Sequence, residues 1–409
     1  MTLTYSSSAE RSGARGRMRT ALTVALAVPL TLASLAATAR PAGAETGDPW
    51  VRAWGLNGVG QLGNGTTLNQ QTPGSVAGIA RNEVRELAAG GGNDNNPFAL
   101  VLLEDGTVKS WGANVDGQLG NGTTTSQSFP SAVSAISGAS DVAAGVNFGL
   151  AVRNGRVLSW GRNTSGQLGN GITAPGTDGP VSLPVAVQSL AGVKDVAAGC
   201  YHAVALREDG TVWTWGANSQ GQLGIGSTID QNTPKKVQGL EDIVAVSAGC
   251  YHGVALSAAG TVKTWGRNVD GQLGNDSTSE SRIPVDVHKL EGVSAVFAGG
   301  YHNFAILDDG TVSAWGGNWA GQLGDGTTTL RTTPVPLPHL VGVESMAGGY
   351  NHTLAVLDDQ SVLAWGDNSA GQLGDGTTTA SLAPVRSLPA GSGTTRAATS
   401  TVWKSSYAY

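Results

Sequence analysis

Charged side chains are scarce in this chain: 13% of its 409 residues are Asp, Glu, Lys or Arg, against about 25% in an ordinary soluble domain. With 61 glycines beside them, that composition excludes a fold built of charged helices and points to many short strands and turns. Cysteine is almost missing, two residues in all, and no Cys/His zinc pattern is present. Neither H-E-x-x-H nor a Ser-His-Asp spacing marks a hydrolase. Beyond residue 44 there is no basic cluster, and no apolar run long enough to span a bilayer.

The one long apolar run lies near the N-terminus. Arg11, Arg15, Arg17 and Arg19 precede an apolar stretch from Ala21 to Ala39, and Ala42, Gly43 and Ala44 offer the A-x-A pattern of a signal-peptidase site. The expectation is a secretory signal over residues 1–44, with residues 45–409 as a single domain. Pro29 and the cleavage pattern weigh against the alternative, an uncleaved anchor. Cleavage takes five of the 24 cationic side chains and one of the 30 acidic ones, giving a mature net charge of −10. Nucleic acid and anionic lipid are held through Lys and Arg on phosphate, so neither is an expected partner, and no membrane association is expected after cleavage. The expected location is extracellular, released or cell-wall associated.

W-G-x-N-x-x-G-Q-L-G recurs seven times, starting at Trp54, Trp111, Trp160, Trp215, Trp265, Trp315 and Trp365, and the last three intervals are each 50 residues. A period of this length with strand-like content is the mark of propeller blades or a β-solenoid. Within one period the sequence reads as a strand through Ile243–Ser247, a Gly turn, a strand His252–Leu256, a hairpin at Gly260 and a strand Thr261–Trp265. The fourth strand falls around Pro284 and Val287, where proline implies an edge. The expected fold is an all-β, seven-bladed propeller of four-stranded blades.

The A-G-x-x-H-x-x-A-L, D-G-x-V-x-x-W-G and G-Q-L-G elements, in fixed order over about residues 50–390, closely resemble the regulator of chromosome condensation repeat family. The chain looks like a secreted, bacterial-type member. The resemblance implies a seven-bladed ring and an interaction-platform role. The A-G-x-x-H element appears only six times, after Gly90, Gly145, Gly199, Gly249, Gly299 and Gly349, while Val51–Gly55 is the last strand of a blade whose earlier strands are missing. The C-terminal tail, around Ala398–Trp403, is expected to complete that blade and close the ring by pairing N- and C-terminal strands.

The seven repeat tryptophans read as core, each needing a partner for its N–H. His202, His252, His302 and His352 share one repeat position, but Phe98 and Phe148 fill it in the first two repeats. A metal ligand would not be replaced by Phe, so the reading is structural and neither metal nor cofactor is expected. Cys200 and Cys250 occupy equivalent positions of adjacent blades, within about 6 Å if near the central channel. A disulfide and two buried thiols both remain open, and export favours the disulfide.

Strand order puts the A-G-x-x-H turns and the W-G-x-N loops at one end of the blades. That end gathers Tyr201, Tyr251, Tyr301, Tyr350 and Trp319, with Arg162, Arg267, Asp116, Asp270 and Asp367, and aromatic residues with Arg are the common anchors of interfaces. Two insertions deviate from the repeat. Gly91–Pro97 carries Asn93 and Asp94 as candidate contacts, a single carboxylate being few for calcium; the other is Ile172–Leu183. The expected function is non-enzymatic: a monomeric extracellular propeller that binds an unidentified protein, as platform or inhibitor. Carbohydrate or cell-wall binding is the alternative, with a hydrolase or lyase further behind.

Overall fold

The computed structural model describes residues 50–92, 96–172, 180–400 and 404–409. They form seven four-stranded antiparallel sheets, the blades of a propeller. One blade runs Ile243–Ala248, His252–Ser257, Val262–Gly266 and Ser281–Asp286 from inside to outside. The inner strands pack on one another in a closed cycle. They are rich in alanine, as in Ala197, Ala198, Ala248, Ala298 and Ala347, because converging sheets leave little room beside the axis. A cavity of ≈ 210 Å³ remains among them.

The second strand is covered on both faces and reads as a continuous apolar run, as parallel-type burial demands of any two-sided strand. The outer strand is half exposed, and each of the seven carries a proline: Pro73, Pro130, Pro184, Pro234, Pro284, Pro334 and Pro384. A proline interrupts the row of edge donors that another chain's strand needs for pairing. Strand addition at the flanks of the ring is thereby disfavoured.

The repeat motif is an inter-blade device. In all seven repeats the tryptophan Nε1–H donates to the main-chain carbonyl of the glutamine in the preceding blade's G-Q-L-G loop, at 2.7–3.1 Å. Its ring fills the core between the two blades; Trp265, for example, lies with Val204, Leu206, Val212, Val237 and Ile243. The motif's Asn accepts from the Leu N–H at 2.8–3.1 Å, and the Gln Oε1 accepts from the N–H two residues earlier, so loop and carbonyl are fixed together. The motif's closing glycine has a positional reason: at Gly274, φ is +65° and a Cβ would lie 2.7 Å from Trp315 Cδ1.

The ring closes as the repeat count requires. Ala397–Thr399 and Ser405–Ala408 supply the inner strands of the blade whose outer strands are Trp50–Gly55 and Gln70–Ala80. Part of the expected segment, residues 401–403, lies outside the described residues, as do residues 1–49. Trp54 donates to Gln372 across the seam at 2.9 Å, and Tyr407 donates to Gln61 at 2.6 Å.

The histidine position is structural, and its partner is visible in the repeat. His252, His302 and His352 meet Asn303, Thr353 and Ser406 of the next blade at 2.8, 3.2 and 3.0 Å. Each partner also donates to the same glutamine carbonyl as that blade's tryptophan, at 2.8 Å. His202 faces Gly253 instead, and nothing among the described residues pairs with its ring nitrogens. For Phe98 and Phe148 the equivalent positions of the next blade hold Gly149 and Ala203, which offer a ring no polar partner, so an apolar ring serves there.

Three carboxylates at the other end of the channel also stitch blades together. Glu86 accepts from the Val142 N–H at 3.3 Å and Asp141 from Val196 at 2.6 Å, while Asp195 accepts from Val246. Burial, with Glu86 and Asp195 nearby, holds the Asp141 carboxyl well above the ordinary range, and burial with Glu86 raises Asp195 to about 6.

Among the described residues the Gln222 carbonyl takes a side-chain hydrogen bond from Trp265 alone, whereas Gln272 also receives Asn303. Trp265→Phe should therefore cost about 1 kcal/mol more than Trp315→Phe in urea unfolding, because only the first leaves a buried acceptor unpaired. Burial pushes the imidazoles down, to about 3 for His202 and His302 and about 4 for His252 and His352. The unfolded chain takes up protons below its ordinary histidine pKa while the folded chain does not. Their stabilising contribution is full above the ordinary histidine pKa and is lost as pH falls towards the folded values, on the order of 1 kcal/mol per imidazole at pH 5.5. Asp141 and Asp195, whose carboxyls burial raises, both oppose this, so stability should fall between pH 7 and 5.5 by less than the four imidazoles alone would give. His202→Phe should restore about 1 kcal/mol at pH 5.5, read as a shift in the denaturation midpoint.

Candidate binding face

Each third strand ends at its W-G pair and leaves through the long motif loop at the same end of the ring as the A-G-x-x-H turns. A chain of main-chain hydrogen bonds runs between those turns: Gly91 N–H to Gly145, Val146 to Cys200, Cys200 to Cys250, Cys250 to Gly300, and Gly300 to Gly349, at 2.9–3.2 Å. It forms a collar across the channel mouth. Val146, Cys200 and Cys250 pack inside it, with Tyr201, Tyr251, Tyr301 and Tyr350 against them. Cys200 and Cys250 are joined by a disulfide with a Cα separation of 4.4 Å.

The tyrosines are not one repeated series. Tyr201, Tyr251 and Tyr301 directly precede the histidine, while Tyr350 sits one residue earlier, at the cysteine position, and Asn351 takes the tyrosine place. That shift builds the best-defined part of the face. Asn351 Oδ1 accepts from Trp319 Nε1–H at 2.8 Å. Tyr301 stands 5.7 Å from the Trp319 ring, 5.5 Å from Tyr350 and 6.2 Å from Tyr251. The Arg267 guanidinium lies over Tyr301, 5.3 Å from the ring centre, and meets Asp270 at 3.3 Å.

Trp319 rests on a glycine found at that motif position in no other repeat. A Cβ on Gly317 would come within 2.4 Å of the indole, where other blades carry Leu56, Ala113, Arg162, Ala217, Arg267 and Asp367. The ring thus lies along main chain with its N–H held, yet remains 43% exposed. Tyr201 lies in the collar next to the disulfide, farther round the ring from this cluster. Asp116 is engaged by Asn147 at 2.8 Å, and Asp367 pairs with Lys404 at 2.9 Å. Asn93 and Asp94 lie outside the described residues.

Exposed apolar side chains are distributed unevenly. Among the described residues, Leu68, Val115, Ile172, Ile229, Val269, Trp319 and Leu330 project from the motif loops and Phe129, Leu183, Ile283 and Leu382 from the outer strands, whereas the opposite end carries Val341. An end studded in this way, rimmed by polar loops, has the make-up of an interaction surface. Gly317, Asn351 and Val269 were not picked out by sequence reasoning. Aligning the repeats would have found them, since each departs from its motif position beside a residue that also departs.

A seven-bladed β-propeller with one apolar-studded end is the class of protein these features define. The RCC1-like domain model matches residues 174–409, and regulator of chromosome condensation (RCC1) repeat models match residues 51–93, 105–152 and 139–167. The chain belongs to the RCC1-like family. It is 34% identical over 179 residues to the E3 ubiquitin-protein ligase HERC2 of Homo sapiens, a match covering 43% of this chain and 4% of that protein. To the ultraviolet-B receptor UVR8 of Arabidopsis thaliana it is 33% identical over 186 residues, 45% of this chain and 41% of the receptor. The chain thus spans well under half the length of these relatives. In fold it is similar to human WBSCR16, with a TM-score of 0.77, 23% identity and coverage of 88% and 98%. Saccharomyces cerevisiae Prp20p gives a TM-score of 0.74, 21% identity and coverage of 88% and 90%.

The disulfide joins residues 50 apart in sequence, and a closed loop of that length contributes about 4 kcal/mol in the chain-entropy model. Unfolding in urea with and without a reductant, on the wild type and on Cys200→Ser/Cys250→Ser, should show a loss approaching that value only where the bond was present.

Proposed function

We propose that this chain is a non-enzymatic protein-binding propeller that acts outside the cell and engages its partner through the collar end. The observation that carries the reading is Trp319: an exposed indole set on Gly317, held by Asn351 and braced by Tyr301. An aromatic anchor fixed before binding loses little conformational freedom on docking, which is where binding energy concentrates. Prolines on all seven outer strands disfavour the flanks as a docking edge, which supports an end-on mode. Prp20p, a protein of the same fold, binds Gsp1p and histones. The extracellular site of action rests on the N-terminal arginines, the apolar run and the A-x-A pattern alone.

The test is a paired pull-down with wild type and Trp319→Ala from extracellular and wall fractions of the producing organism. One protein retained by wild type and lost by the variant, at equal melting temperature, is the expected result. Gly317→Val, which displaces the indole without removing it, should weaken retention about ten-fold. Equal retention by all three proteins overturns the reading, and a polysaccharide retained through Trp319 replaces it with carbohydrate binding.

A further inference from the structure

The motif carries Arg in only two blades, as Arg162 and Arg267, and the two make an internal comparison. Two residues on, the first blade has Thr164 and the second has Val269. Arg162 Nε donates to Thr164 Oγ1 at 3.2 Å. With Val269 in that place, Arg267 Nε is buried and meets no acceptor among the described residues. Its remaining ion-pair contact is the single 3.3 Å approach of Asp270, whose own N–H is occupied in the loop by Gln272. The Arg267 side chain is 29% exposed with its guanidinium over the Tyr301 ring, and the Val269 that fails to satisfy it is itself 59% exposed.

A guanidinium in a partly dehydrated aromatic setting, held by one long ion pair, gains more from a further carboxylate than one already satisfied. Resting on the platform reading above, we propose that Arg267 is the anion-binding centre of this face and takes the carboxylate of an Asp or Glu on the partner. The neighbouring residue of that partner is apolar and lies on Trp319 and Val269. The planar Arg fork suits a carboxylate through two donors, and aromatic neighbours exclude water from the contact. Asp270 is then an intramolecular competitor.

The experiment is selection of a random-peptide display library on the purified protein at pH 7, with selected peptides resynthesised for calorimetry. Enriched peptides should carry Asp or Glu beside an aromatic or aliphatic residue. Their affinity should fall about ten-fold when that Asp or Glu is amidated to Asn or Gln, and about ten-fold on Arg267→Gln. Val269→Thr restores the internal acceptor seen at Arg162 and should weaken binding two-fold or more without threatening the fold; Asp270→Asn should tighten it. Enrichment of peptides without acidic residues, no enrichment, or binding by Arg267→Gln within two-fold of wild type overturns the assignment. Should non-acidic peptides still depend on Trp319, the carboxylate site fails while the binding platform stands.

Discussion

One hydrogen bond, from a tryptophan ring to a glutamine main-chain carbonyl, sets the spacing between every pair of blades. It combines two requirements that rarely coincide. A large ring must be buried to glue two twisted sheets face to face, and its N–H must find an acceptor inside that dry layer. The G-Q-L-G loop presents a carbonyl at that place because Asn and Gln side chains lock the loop and glycine lets it pass close to the indole. Propagated seven times, the interaction returns to its origin through Trp54 and Gln372 and leaves no blade unsupported. In four blades the histidine relays attach to this scaffold or sit beside it, and in three of them the carbonyl takes a second donor. The loops that make the staple are the same loops that form the proposed binding end. The structural surface and the proposed one therefore share one motif, and variation is confined to positions the staple leaves free.

Most of the fold was legible because each motif residue has a local job that repeats. Blade number, the three inner strands, the proline-bearing outer strand and the seam all follow from Trp, Gly and Pro positions. The seam was less legible in detail, since Ser405–Ala408 keeps Ser406 and Tyr407 as donors but lacks the A-G-x-x-H and W-G signatures. The candidate site was legible as a face and not as a cluster. Tyr350 sits at the cysteine position rather than the tyrosine one, so the four tyrosines are not equivalent. Trp319 stood out in sequence, but its support came from Gly317 two residues earlier and Asn351 in the next blade. Contacts between residues some 30 to 50 apart become readable only when the repeats are laid over one another.

The same superposition separates what the fold requires from what this chain adds. Histidine, phenylalanine and their facing residues vary together: rings without a polar partner face Gly149, Ala203 or Gly253, and rings with one face Asn303, Thr353 or Ser406. Those substitutions balance and need no function to explain them. Arg267 with Val269 does not balance. A donor loses its acceptor while an apolar side chain becomes exposed beside it, both at the end of the ring that carries Trp319.

Charge sharpens that contrast. The chain as a whole is acidic, and Arg162 and Arg267 of the motif loops, with Lys404 before the C-terminal strand, are each met by a neighbouring oxygen, Arg267 with its Nε left over. Long-range attraction would favour basic partners, yet it is screened within about 8 Å at physiological salt, whereas a partly buried guanidinium is screened far less. Approach and recognition can thus have opposite preferences on one surface. A net repulsive field slows encounter with acidic proteins in general, and a single under-satisfied arginine over an aromatic ring rewards the one that places a carboxylate and an apolar side chain together. Selectivity of that kind arises from the mismatch between the local site and the global charge, not from either alone.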